Sequence, residues 1–371
     1  MVAAASVVVA VGTVTGMLSA AGEGGGPDEA RPVVTSSPRP ASPPVEPSSS
    51  PSGSPSVTVS PKAEASPEAS PSRTATKERQ TVPASAGLYR HPDSQVLDWV
   101  RDHPDDPRRA VIESRIAGRP AAVWFADYSP DTITSRVRAV VSGGADRGRV
   151  PVVVPYAVPD RDCGGYSEGG APDPAAYDDW IDRFAAGLGG AEVIVILEPD
   201  AIAQSGCLSA GERADRFASL ARAGRVLKDA GPRARVYFDA GHSGWRTPAE
   251  QAALLRQAGA ASAASSDGVF SNVSNFQATA AEIAYDRAVL DALGGPPGLG
   301  AVIDTSRNGN GAPADGEWCD PAGRRIGHAP TLSTGEAGID AYLWVKLPGE
   351  SDGCKGEPGT FTPSYAYDLA R

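Results

Sequence analysis

The sequence predicts an α/β domain in which a parallel sheet closes, or nearly closes, into a β/α barrel. Two features carry this expectation: about seven short apolar runs alternate with amphipathic stretches, and each apolar run ends in a polar cluster. That alternation implies βα units and a parallel sheet. A third feature excludes a dinucleotide-binding sheet, because no Gly-x-Gly-x-x-Gly follows the first run. The glycine-rich Gly309-Asn310-Gly311 lacks the Lys-Ser/Thr of a phosphate loop and reads as a turn.

Strands are expected at 121–126, 150–156, 192–197, 234–238, 268–270, 300–303 and 341–345. The third is the clearest. Its run Val193-Ile194-Val195-Ile196-Leu197 stops at Glu198-Pro199-Asp200, as a strand buried on both faces does. Such a strand has no room for an unpaired charge, so Glu198 and Asp200 belong at its C-terminal tip. In barrels and open α/β sheets the chemistry collects at that end. Pro199 fixes the local backbone and removes a donor. Between the strands, Ser209–Glu212, Thr247–Glu250 and Thr279–Glu282 each place a hydroxyl three residues before a glutamate, the spacing of a capping box. Pro248 suits the first helical position. Tyr177, Trp180, Ile181, Phe184 and Leu188 recur at helical spacing and read as core.

The chain of 371 residues divides into three segments. Residues 1–21 are apolar and small, and read as a signal peptide that lacks a basic start, or as an N-terminal anchor. Residues 22–85 are rich in Pro, Ser and Thr with no aromatic residue, so they cannot bury enough apolar surface to order and form an extended spacer. Residues 86–371 hold all six tryptophans and all four cysteines and suit one large domain. A net charge of −11 argues against nucleic acid as a partner. Four cysteines on an exported chain suggest two disulfides, with three connectivities open. No Cys-x-x-Cys pair and only four histidines speak against zinc; neither a metal nor a cofactor is expected, and the domain is expected to be monomeric.

The polar clusters then follow in order. Trp124 and Asp127 end the first run; Tyr156, Asp160, Arg161 and Asp162 follow the second; Glu198 and Asp200 follow the third. Asp239, His242 and Trp245 follow the fourth, and Asn272 and Asn275 the fifth. Asp304, Arg307 and then Trp318 follow the sixth, and Lys346, Glu350 and Asp352 the seventh. Any one could cap a helix. Together they describe a cleft with many carboxylates and several indoles, which points to a carbohydrate site. Glycosidic cleavage needs an acid that stays protonated near neutral pH, through burial or a neighbouring carboxylate, and Asp162 with Asp200 offers such a pair. Trp124, Trp245 and Trp318 would stack on sugar rings, and Lys346 and Glu350 would bind hydroxyls. Two rivals fit less well. Gly241-His242-Ser243-Gly244 approaches the nucleophile elbow of an esterase, but Trp245 stands where its last glycine belongs. A glycan-binding module without catalysis leaves the acids unexplained.

Five blocks in order carry a family resemblance. These are Val154–Gly164 with its Arg161-Asp162-Cys163, Leu197–Asp200, Tyr237–Trp245, Ile303–Gly309 and Trp344–Gly353. They resemble glycoside hydrolase family 6, cellulases that invert at the anomeric carbon of β-1,4-glucans, over residues 88–371. Actinobacterial endoglucanases are the most similar branch, by Gly241–Trp245 and the short ending Lys346–Glu350. The resemblance implies a distorted seven-stranded parallel β/α barrel. It implies Asp200 as proton donor, Asp162 beside it raising its pKa and helping move a proton to water, and Tyr156 crowding the ring at the cleavage point. Asp352 takes the position proposed as general base, and Asp239 would bind sugar hydroxyls and support the acid. Trp124, His242, Trp245, Asn275, Trp318, Lys346 and Glu350 fall on substrate-binding positions. It also implies the pairs Cys163–Cys207 and Cys319–Cys354, each contributing up to about 4 kcal/mol on the chain-entropy model. Asp160 and Ala126 depart from the residues common there. The expected activity is an exported endo-β-1,4-glucanase acting on soluble or amorphous glucan, since no cellulose-binding module is recognised. A cellobiohydrolase of the same family and a glucan-binding protein tethered at the cell surface are the alternatives.

Overall fold

The computed structural model describes residues 87–371. The export or anchor segment expected at 1–21, the spacer at 22–85 and the domain start at 86 lie outside the described residues. Seven strands run in chain order around one sheet: β1 (Val123–Phe125), β2 (Val152–Pro155), β3 (Val193–Leu197), β4 (Ala234–Asp239), β5 (Gly268–Ser271), β6 (Gly300–Asp304) and β7 (Ile339–Leu343). Each pairs in parallel with the next. Among the described residues no ladder joins β7 back to β1. The seam is crossed instead by the Ala122 amide, which donates to the Trp344 carbonyl at 2.9 Å. Beside it the Trp124 indole N–H donates to the Val345 carbonyl at 2.7 Å. The barrel is therefore distorted and open at one side.

The alternation of side chains explains why the strands read as unbroken apolar runs. Val152, Val154, Ile194, Ile196, Tyr237, Phe270 and Val302 fill the barrel interior. Their neighbours Val153, Val195, Val236, Phe238, Val269 and Ile303 face outward into a second core. Helices α3 (Ile133–Ala145), α4 (Pro174–Ala185), α5 (Ala210–Ala230), α6 (Pro248–Gln257) and α7 (Thr279–Leu293) follow β1 to β5. Burial on both faces is the normal state of an all-parallel sheet. The aromatic stripe Tyr177, Trp180 and Phe184 packs from α4 as the helical spacing predicts. A third core, built on Trp99 of α1 (Gln95–Asp102), Ile112 of α2 (Arg109–Ile112), Trp344 and Ala366 of α8 (Pro363–Ala370), sits near the seam.

Two local expectations change. The seventh strand is Ile339–Leu343 rather than 341–345, because its ladder partner is β6 only as far as Leu343; Trp344 and Val345 then turn their carbonyls to the seam. The capping boxes at Ser209 and Thr247 form, but the one at Thr279 does not. Thr279 lies inside α7, its cap is Ala278, and Glu282 turns inward to bond the Ser243 amide.

Gly268 opens β5 with φ 145°, and a Cβ added there would sit 1.7 Å from the Gly300 carbonyl oxygen on β6. Only glycine fits both the dihedral and the space. Gly268→Ala is expected to lower stability by at least about 3 kcal/mol, read as a lower urea midpoint; an unchanged midpoint would show that the β5–β6 edge yields.

Candidate active site

The tip of β3 is bent twice into the left-handed region, with φ 49° at Glu198 and 69° at Asp200. Aspartate tolerates that region better than glutamate, so Glu198 needs other support. Its fully buried carboxylate accepts the Ala157 amide at 2.9 Å and the Val158 amide at 3.0 Å, while its own amide donates to Pro155 at 3.1 Å. Glu198 thus ties the loop after β2 to the tip of β3 and does not face the groove. Asp200, two residues on, does.

Asp239, at the end of β4, accepts amides from Ile202 at 3.1 Å, Ala203 at 2.8 Å and Gly241 at 2.8 Å. The turn that follows Asp200 is held by this carboxylate. Asp239 is buried, its oxygens accept three backbone amides and it stands outside the groove, whereas the resemblance implied a contact with sugar hydroxyls. Burial pushes the Asp200 carboxyl well above its ordinary range, the Asp239 charge adds to that, and Asp162 adds further, against Lys346.

Asp162 sits on a tightly coiled loop, with positive φ at Asp160, Asp162 and Cys163. Its carboxylate accepts the Ser167 amide at 2.8 Å. Arg216 of α5 donates to the carbonyls of Pro159 at 2.6 Å and Asp160 at 2.9 Å. Arg161 donates to the carbonyls of Ala126 and Tyr156 and lies 4.7 Å over the Tyr156 ring. Tyr156 meets Trp124 edge-to-face at 5.3 Å. Burial raises its hydroxyl pKa, and Asp200 and Asp162 raise it further. The Cys163–Cys207 bond joins this loop to the one after Asp200.

The seventh strand end carries the opposite electrostatics. Asp352 pairs with Arg307 at 2.7 Å and Lys346 at 3.2 Å. Burial works against its charge, but Arg307 and then Lys346 outweigh that and hold the carboxyl below its ordinary range. Asp320 fixes this loop by accepting amides from Asp352 at 2.8 Å, Cys354 at 3.1 Å and Lys355 at 2.9 Å, next to the Cys319–Cys354 bond. Glu350 nearby is pushed up to about 7 by burial, which Lys346 only partly offsets.

These groups line one groove of about 1620 Å³. It brings together Asp162, Asp200, Asp352, Tyr156, Lys346 and Glu350. It also takes in Trp124, His242, Trp245, Asn275 and Trp318; Asp239 stands outside it, as do Asp127, Asp160, Glu198, Asn272, Asp304 and Arg307 of the strand-tip clusters. Trp245 and Trp318 are among the few exposed large apolar side chains, at 40% and 55%. His242 packs its ring 4.3 Å from that of Trp245. Its Nδ1 accepts the Gly244 amide at 3.1 Å, so the neutral ring carries its proton on Nε2. Tyr166 was missed by sequence reasoning. It is 57% exposed, lies 5.9 Å from Trp318 and covers Gly353, beside Asp352. The available signal was a lone aromatic in a glycine-rich stretch, Gly164–Gly170.

Burial alone lowers the His242 pKa to about 4. A proton NMR titration should show this imidazole neutral throughout pH 5–8; a midpoint near the ordinary value of about 6.5 would contradict the packing described.

Residues 84–367 match the sequence profile of Glycosyl hydrolases family 6. Endoglucanase 1 of Streptomyces sp. (strain KSM-9) is 50% identical over 300 residues, covering 81% of this chain and 82% of that protein. Endoglucanase A of Thermobispora bispora is 48% identical over 299 residues, 78% of this chain but 65% of that protein. Among solved structures, an endoglucanase from Mycobacterium tuberculosis, determined with methyl-cellobiosyl-4-deoxy-4-thio-β-D-cellobioside, superposes with a TM-score of 0.71 at 37% identity. That match covers 77% of this chain and 97% of the other.

Proposed function

This chain belongs to glycosyl hydrolases family 6 and is a cellulase, and from that premise we propose an exported endo-β-1,4-glucanase that works by single displacement. The observation that carries the reading is the pairing of opposite electrostatics in one groove. Asp200 is driven toward its protonated form by burial, Asp239 and Asp162, while Asp352 is held ionised by Arg307 and Lys346. A general acid must hold a proton at working pH, and the positive charge that develops on the sugar ring needs a fixed anion.

In the proposed step, Asp200 gives its proton to the leaving glycosidic oxygen as the C1–O bond breaks. Water attacks C1 from the other face and passes a proton through solvent toward Asp162. The Asp352 carboxylate is a weak base while two cations hold it, so its role is to face the developing charge and to keep Lys346 in place. Tyr156 limits the space for an undistorted ring. Trp124, Trp245, Trp318 and Tyr166 offer flat apolar faces for the glucan, with His242 Nε2–H, Asn275, Lys346 and Glu350 as hydrogen-bond partners. The relatives named endoglucanases support internal cutting, and two disulfides suit an oxidising compartment outside the cytoplasm.

Asp200→Asn should lower kcat on carboxymethylcellulose by at least about 100-fold while cello-oligosaccharide binding, followed by tryptophan fluorescence, persists; normal turnover would remove Asp200 from the acid role. Activity needs protonated Asp200, so the rate should fall as pH rises through its raised pKa. Removing one neighbouring negative charge lowers that pKa, and Asp162→Asn should move the alkaline limb of kcat/KM to lower pH. An unmoved limb would separate the two carboxylates. Internal cutting predicts a rapid fall in viscosity ahead of reducing-end release, whereas cellobiose as the sole early product would favour a cellobiohydrolase.

A further inference from the structure

The glutamate that leaves its expected capping box occupies an unusual place. On α7, Glu282 and Asp286 stand four residues apart on one helix face, and both are fully buried. Glu282 Oε1 accepts the Ser243 amide at 3.0 Å, and Asp286 Oδ2 accepts the Ser271 hydroxyl of β5 at 3.0 Å. Their other oxygens, Glu282 Oε2 and Asp286 Oδ1, have no donor. The Ser271 hydroxyl acts on both acids, and two buried carboxyls this close, with no cation beside them, are best satisfied when one of them holds a proton.

We propose that Glu282 and Asp286 share one proton, and that the resulting acid pair is a positioning element for the loop 239–245 that carries His242 and Trp245. Ser243 lies directly after His242 and two residues before Trp245, so the bond to Glu282 fixes the backbone between the two rings. A second tether runs from the same helix: the Tyr285 hydroxyl donates to the Ala240 carbonyl at 2.9 Å. Burial raises the pKa of both acids, and Glu282 raises that of Asp286 further. The charged and titratable neighbours are few. Tyr285 feels Asp286, Asp239 and Glu282, with Arg246 of the loop opposing them. No cation is among the groups acting on Glu282 or Asp286. Ionising both would set two uncompensated charges against each other and push the Ser243 anchor off the helix.

The sign of the pH effect follows. The folded chain keeps a proton that the unfolded chain releases above the ordinary carboxylate range of about 4, so this pair makes stability fall as pH rises toward its raised pKa. Glu282→Gln removes one of the two ionisable groups and adds an amide N–H donor beside Asp286, while its oxygen still accepts from Ser243. The positioning role rests on the glucan-binding reading of His242 and Trp245; the shared proton does not.

The test compares wild type, Glu282→Gln and the mirror variant Asp286→Asn, measuring Tm against pH and KM for a soluble cello-oligosaccharide against pH. At least one amide variant should fold and show a flatter Tm–pH curve than wild type. The wild-type KM should rise about threefold or more on the alkaline side, with that rise absent in the amide variant and kcat little changed. Parallel Tm–pH curves, or failure of both variants to fold, would overturn the shared proton. A flattened Tm curve with an unchanged KM rise would reduce the pair to a structural role and overturn the positioning claim. A wild type that turns over no glucan would instead remove the proposed function, and the Tm comparison would still decide the proton.

Discussion

The catalytic rim of this barrel depends on one constraint: a carboxylate taken out of water must be met by donors, and here the donors are backbone amides of neighbouring loops. Glu198, just past the end of β3, takes two amides from the loop after β2, and Asp239 on β4 takes two from the loop after β3. Asp304 on β6 takes the amides of Ser274, Ser306 and Lys346, reaching the loops after β5 and β7. Asp320 does the same for the loop that bears Asp352. A buried acid with two or three amide bonds resists displacement, because losing its partners leaves an unmet charge. Each loop is thereby held by the strand or loop beside it, and the groove keeps its shape without being cut into regular secondary structure.

The same rule decides which acids remain free to react. Asp239 is close to Asp200 and more deeply buried, and burial raises its pKa too, but three amide donors work against that rise by favouring its charged form. Asp200 lacks such donors, so of the two it is the one on which a proton is most easily held. Across the groove Asp352 is fixed as an anion by Arg307 and Lys346, at no more than 3.2 Å. Polarity of the site is thus written in what each carboxylate touches behind the surface, and the visible residues inherit it.

The strands and the residues at their tips were legible in the sequence because burial on both faces leaves a run with no polar interruption, as at Val193–Leu197. What lies behind the rim was not. Glu198 and Asp200 are alike in composition and separated by one proline, and only the left-handed turns at both decide that one faces inward and the other the groove. Asp239 is expected to contact substrate on the family resemblance alone; the amides that occupy it come from a loop 36 to 37 residues earlier in the chain. Glu282 shows the limit most sharply. Thr279 and Glu282 have the spacing of a capping box, and the same spacing succeeds at Ser209 and Thr247. At α7 the helix starts one residue early and Asn308 donates to the Thr279 hydroxyl, so the glutamate is released to a tertiary partner.

The disulfides belong to this same division of labour. Cys163 follows Asp162 directly, and its bond to Cys207 joins the loop of Asp162 to the loop that follows Asp200. Cys354 lies two residues beyond Asp352 and bonds Cys319, next to Trp318. Cys163 and Cys207 are exposed, and so is Cys354, while Tyr166 and Trp318 lean together beside the second pair at 5.9 Å. There the covalent tie works together with a buried carboxylate, because Asp320, next to Cys319, accepts the Cys354 amide at 3.1 Å. Fixing the loops by both means holds Asp200 where burial raises its pKa while the groove in front of it stays open.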